Sequence, residues 1–264
     1  MGAIDISILR MLTIYALLIV PAGLILWLRL PMLGQMAIAV VRMTVQLAFV
    51  GLYLQFVFQQ NSPWLTALWL IIMIVVADFS ILRAGGLRVR RFGLPLLASL
   101  VMGTSIPMFV FVGLLLARPN IMDAQYAIPI SGMILGNCLR ADIIGMRRFF
   151  LRLKEEKRRY ELTLMQGAHL REAIRPYLRD AFREAITPTV ASMATIGIVS
   201  LPGMMTGTIL GGTDPIVAIK YQIAIMIAIL AGTAITVMTA IQLALPTSFD
   251  EYGLLDEEIF RQKS

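Results

Sequence analysis

The sequence predicts an all-α, polytopic helical membrane protein with about seven transmembrane helices and an amphipathic region on the cytoplasmic side. Three observations predict it. Of 264 residues, 58% are hydrophobic and only 15% are charged, and the mean hydropathy is +0.81, far from the polar surface that a dissolved domain requires. The charges crowd into a few short stretches. Between them lie apolar runs of roughly 20 residues, long enough to cross a hydrocarbon core about 30 Å thick. Lipid supplies no hydrogen-bond partners, so such runs must satisfy their backbones internally, as helices.

Seven segments follow, at residues 11–28, 33–58, 64–82, 94–117, 126–146, 186–210 and 218–245. Met1 to Arg10 lacks a basic leader, and the apolar run behind it is long enough to span, so it is read as the approach to the first helix and not a cleavable signal. Arg83, Arg88, Arg90 and Arg91 make the connection after the third segment basic, and the stretch from Arg147 to Glu184 is rich in Arg and Lys. The positive-inside rule puts both in the cytoplasm. Counting from them gives an external N-terminus and short external loops near Asn61, Asn120 and Gly212. Arg29 and the acidic tail (Asp250, Glu251, Asp256, Glu257, Glu258) fall inside. The whole chain, 1–264, is expected to be a single transmembrane domain without a soluble lobe. The net charge of +7 reports topology and anionic lipid, not nucleic acid.

The composition also excludes chemistries. One cysteine, Cys138, permits no intramolecular disulfide, and one histidine, His169, permits no HExxH pattern or His-rich metal site. No catalytic residue is expected. An intramembrane enzyme would need a paired-aspartate, Ser-His or metal constellation that these residues do not supply.

Between Arg147 and Glu184 the pattern becomes amphipathic: Leu151, Leu153, Tyr160, Leu162, Leu164 and Met165 recur among charges at helical spacing. Gly167-Ala168 is a natural break, followed by a second charged helix in which Pro176 starts a new turn. Two readings stand. The element can lie on lipid phosphates as a polybasic surface helix, or it can be a coupling helix of the kind an ATPase grips, since Glu161 and Gly167-Ala168 resemble in spacing the glutamate-to-glycine loop of ABC permeases.

Polar residues inside spans are costly to bury and therefore informative. Arg42 and Gln46 lie one turn apart on the second span, and Asp78 lies late in the third. Arg42 can snorkel or pair with Asp78; Arg140 and Asp142 close the fifth span near the interface. Pro129 donates no backbone bond, and Gly132 and Gly136 form a small-xxx-small face with Asn137 beside it. Pro202-Gly203 is expected to kink or break the sixth span. A helix seam and a translocation path both suit such places. Most of the 17 methionines are packing; Met133, Met204 and Met205 sit beside broken helix and could offer thioethers to a soft metal.

Residues 128–137 (IPISGMILGN), 197–207 (GIVSLPGMMTG) and 214–222 (DPIVAIKYQ) carry a resemblance. With Arg42 to Gln46 as a weaker match, they are similar to the Fet-type iron-export ABC permease family, which includes plant permeases tied to aluminium tolerance. The resemblance covers nearly the whole chain. It implies a permease homodimer in the inner membrane, serving metal homeostasis with a cytoplasmic ATP-binding subunit. Because no GxxxxGK[ST] loop occurs here, ATP would be bound on the partner and no cofactor on this chain. The alternative is a stand-alone secondary transporter or channel, which would be expected to carry more intramembrane carboxylates and inverted repeats.

Overall fold

A computed structural model describes residues 7–60 and 62–256; Met1 to Ile6, Asn61, Glu257 and Glu258 of the regions named above lie outside them. The order is α1 (Ile8–Tyr15), a 3-10 turn (Ala16–Leu18), α2 (Ile19–Trp27), α3 (Leu33–Gln60), α4 (Pro63–Gly85), α5 (Val89–Phe109), α6 (Ala124–Glu155), α7 (Lys157–Met165), α8 (Leu170–Thr195), α9 (Gly203–Leu210) and α10 (Pro215–Ser248). Among the described residues, six continuous helical stretches are long and apolar enough to cross a membrane: Leu9–Trp27, α3, α4, α5 with its extension to Leu115, α6 and α10.

The expected sixth span, 186–210, is a crossing in two pieces. The backbone leaves α8 at Thr195, turns through Gly197 at φ +88°, and restarts as α9 at Gly203. The break thus begins before Pro202-Gly203, where the left-handed turn needs a residue without a Cβ. The traverse follows from the ends of the neighbouring helices. Phe249, just after α10, packs on Tyr160 of α7 with ring centroids 6.0 Å apart, so α10 finishes on the side where α6 ends and α8 begins. Spanning 34 residues, about 51 Å at 1.5 Å per residue, α10 starts on the opposite side, and the chain from α8 to α9 makes the passage between them. We call the side bearing α7 the basic side.

Local chemistry sets the ends. Pro63 opens α4, and Gly86 closes it at φ +64°, where proline has no amide to lose and glycine no Cβ to strain. The Asp214 carboxylate accepts from the amides of Ile216 and Val217, at 2.8 and 3.4 Å, ahead of Pro215. Pro107 lies near the end of α5, and the next six residues, Val110–Leu115, wind as a π-turn, with the Leu116 amide donating to the Phe111 carbonyl.

The core is built from α5, α6 and α10, flanked by α4 and α8. Its tightest point is where α5 meets α10. A Cβ on Gly232 would lie 2.7 Å from the Gly103 carbonyl oxygen, and one on Gly103 would lie 3.0 Å from that of Gly232. Two glycines far apart in sequence let these helices touch backbone to backbone. At Gly132 and Gly136, by contrast, no second backbone approaches within the chain: a Cβ on Gly132 meets only Met73, and one on Gly136 meets nothing within 4 Å. The first two spans barely join the bundle, none of their most apolar windows being buried. Tyr53 of α3, stacked on Trp69 of α4 at 4.2 Å, is one of their few anchors. Such surfaces suit lipid, which is as apolar as they are.

Candidate transport pathway and coupling surface

On the basic side α6 runs beyond the bundle to Glu155 and joins α7 at Glu156. The long amphipathic stretch expected from Leu151 to Met165 is therefore two helices, with its bend at Glu156. After Gly167, at φ +92°, α8 begins at Leu170 and runs through Pro176 without a break. Pro176 is the seventh residue of α8, past the first turn, so its missing amide costs the helix one hydrogen bond, to the Glu172 carbonyl. The Glu172 carboxylate accepts the His169 amide at 3.0 Å and closes the N-terminus.

Ion pairs lace the basic extension to α8: Arg148–Glu184 at 2.8 Å and Arg152–Asp180 at 3.5 Å, with Arg152–Glu156 at 2.7 Å beneath. Each is partly exposed and contributes at most about 1 kcal/mol. The stronger anchor is apolar. Tyr160 is 2% exposed, packs edge-on to Tyr177, and donates its hydroxyl to the Gly253 carbonyl at 2.5 Å. Burial, with Asp250 and Tyr177 adding, pushes that hydroxyl above its usual titration range, so it stays a donor. The receiving tail folds around Asp250, whose carboxylate accepts from the amides of Tyr252 and Leu254. Arg91 at the start of α5 pairs with Asp256. The tail thus straps α7 to α10 and α5, leaving Gly167 exposed, with Glu161 and Ala168 half-buried on the same element.

Within the bundle the polar residues separate into groups. Asp142 is fully buried, and Thr236 of α10 donates to its Oδ2 at 2.8 Å. Asp78, also buried, faces the start of α5, where a Cβ on Gly93 would be 3.8 Å from its Oδ2. The Oδ1 of each has no hydrogen-bond partner among the described residues. Arg42 is not paired with Asp78. It is exposed and, with Gln46, lines a wide cleft of about 1260 Å³ between α3 and α4.

The break in the sixth crossing opens a separate cavity of about 280 Å³ between α6, α8 and α10. Asn137 and Arg140 of α6, Ser192 of α8, and Ser200 and Pro202 of the break line it. Toward the basic side, Ile144 and Pro188 are shared with a vestibule of about 630 Å³ that reaches Arg148, Arg183 and Glu184. Of the sequence candidates, Asn137 and Pro202 come together here. Pro129 lies inside α6 without ending it, Gly203 starts α9 in open space, Met204 packs on the core, as does Met133, and Met205 is half-buried in α9. No group of three or more His, Cys, Asp or Glu side chains could hold a metal ion among the described residues. Sequence reasoning placed Arg140 at an interface and missed its cavity, because the cavity exists only where the broken crossing leaves α6 uncovered.

This bundle, with its broken crossing and basic surface helix, has a known sequence family. The profile of an uncharacterised protein family, UPF0014, matches residues 8–249. The chain belongs to that family. Among its relatives, Protein ALUMINUM SENSITIVE 3 of Arabidopsis thaliana is 34% identical, over 86% of this chain and 82% of the relative. UPF0014 membrane protein YjkA of Bacillus subtilis is 32% identical, over 84% and 87%. A protein named "Probable iron export permease protein FetB", from Escherichia coli, is 32% identical over 75% of each chain. No solved structure matches. For this UPF0014 member, the relatives' names and the helices agree on a membrane protein.

Proposed function

We propose that this UPF0014 protein is the membrane-spanning permease subunit of an ABC transporter that exports metal, iron foremost, driven by a separate ATP-binding subunit. The observation that carries the reading is its likeness to FetB over three quarters of both chains. The geometry supports it. The α7–Gly167–α8 element leaves Gly167 exposed on the basic side while buried Tyr160 and Tyr177 seat it on the bundle, and α8 continues from it directly into the broken crossing. A force on this element is transmitted along one rigid helix to the cavity wall at Ser192.

In this reading the basic side is cytoplasmic, the N-terminus external and the membrane the inner one, as the arginines direct. Two permease copies and two ATPase copies form the working unit. ATP is bound and hydrolysed on the partner, and closure of the ATPase pair tilts α8, a two-state change biased by nucleotide. The test is reconstitution: purified permease mixed with its ATPase should bind it and change its hydrolysis rate, and failure of both removes the proposal.

A second reading rests on Asp78 and Asp142, buried carboxyls with unpartnered oxygens. Groups of this kind serve ion-coupled transporters that work alone. Metal efflux from vesicles driven by a proton gradient, without any ATPase, and lost in Asp142→Asn, would favour that reading.

A further inference from the structure

The cavity at the broken crossing has an electrostatic character that a path for a bare metal cation should not have. Arg140 is the charged residue that lines it, and its side chain is exposed to that space. Arg140 makes no hydrogen bond or ion pair among the described residues. Asp142 cannot offset it: two residues along a helix is a rotation of about 200°, and Asp142 faces Thr236 on α10 instead. Around Arg140 stand an amide and hydroxyls, from Asn137, Ser192 and Ser200. Outside, in the vestibule, Arg148 is neutralised by Glu184 and Asp180 is held by Arg152. Arg183 there has no ion-pair partner among the described residues. The vestibule's two arginines and two carboxylates balance overall, so the route from the basic side ends at one uncompensated cation, Arg140.

We infer that this cavity is a binding site for an oxyanion group, a carboxylate or phosphate, held by the Arg140 guanidinium, so that a metal cargo would enter it as an anionic chelate and not as a bare cation. The guanidinium fork matches either oxyanion and cannot lose its proton. Ser192 donates to a remaining oxygen, and Asn137, one of whose amide hydrogens is engaged with the Met133 carbonyl at 2.8 Å, has its second left to do the same. Neighbouring Lys and Arg charges focus anions toward such a cleft. Arg140 lies 16 residues from the start of α6 at Ala124, about 24 Å along a helix rising 1.5 Å per residue. That depth belongs to the inner leaflet on the basic side, where a free anion and a lipid headgroup are both available. The inference rests on the transport reading only in treating the bound group as cargo.

The experiment is direct binding to the purified full-length protein without any ATPase, using citrate, inorganic phosphate and Mn(II) as separate probes. Saturable binding of citrate or phosphate is expected, weakened at least tenfold by Arg140→Gln and less by Arg140→Lys. Ser192→Glu, which places a carboxylate in the cavity from exposed α8, should abolish it without touching Arg140, and it carries the test if Arg140→Gln does not fold. Repeating the titration in nanodiscs with and without phosphatidylglycerol separates the sources. A headgroup occupant is retained by the wild type but not by Arg140→Gln and displaces citrate; a soluble occupant binds equally in both. No anion binding, anion binding indifferent to both substitutions, or Mn(II) binding strengthened by Arg140→Gln overturns the inference. ATPase stimulation is read separately: intact stimulation without anion binding defeats this inference alone, and the reverse defeats the permease reading.

Discussion

Replacing Gly232 by alanine tests the helix crossing on which the cavity is built. The added Cβ would lie 2.7 Å from the Gly103 carbonyl oxygen, 2.8 Å from Ile134 Cγ2 and 3.3 Å from Cys138 Sγ. Carbon and carbonyl oxygen rest about 3.3 Å apart between packed helices, so α5 and α10 must separate by roughly 0.6 Å at their tightest point. The opposing atom is backbone and cannot rotate away. Overpacking of this kind costs about 1–3 kcal/mol, and alanine's better helix propensity returns up to about 1 kcal/mol. The net is a destabilisation of about 1–2 kcal/mol. Gly136→Ala is the internal control: its Cβ meets nothing within 4 Å, so only the propensity gain of up to about 1 kcal/mol remains. Thermal unfolding of monodisperse protein in one detergent should rank Gly136→Ala at or above wild type and Gly232→Ala below it. A Gly232→Ala protein as stable as wild type would refute the crossing geometry.

Three further outcomes are expected. Gly167→Ala forces a Cβ into the left-handed region at φ +92°, costing about 1–2 kcal/mol locally; it should lower ATPase stimulation while leaving the amount of protein in the membrane unchanged, as read by hydrolysis assay and membrane immunoblot. Thr236→Val removes the hydrogen bond to the buried Asp142 and should destabilise by about 1–3 kcal/mol; Asp142→Asn should be milder, since it buries no charge, and the midpoints of thermal unfolding decide. Tyr160→Phe deletes the bond to Gly253, worth about 1 kcal/mol, and should speed protease cleavage in residues 249–255 without changing cleavage between the first two spans.

The hydropathy of the chain was enough to place six continuous spans and the surface element, because membrane thickness and charge asymmetry are read along the sequence. It also marked the sixth crossing as a place of weakness. What it could not locate was set by contacts between distant residues. Gly103 and Gly232 carry no local spacing signal, while the local glycine pair, Gly132 and Gly136, has no second backbone close against it among the described residues. Arg42 and Asp78 share a plausible depth but point into different spaces, and depth alone does not give azimuth. Arg140 looked interfacial because its surroundings depend on where α8 breaks. Pro176 looked like a boundary and is not one: the burial of Ala173, Ile174 and Tyr177 around it holds the helix despite the lost amide.

The strap between Tyr160 and Gly253 joins residues 93 positions apart, with the broken crossing and α10 between them. At about 5–20 residues per second, a ribosome needs roughly 5–20 s to make the later residue after the earlier. Throughout that interval the α7 surface lacks its last buried partner. A companion subunit that reads the finished surface would meet only molecules whose final helix has already been synthesised and threaded, and half-made chains would be passed over.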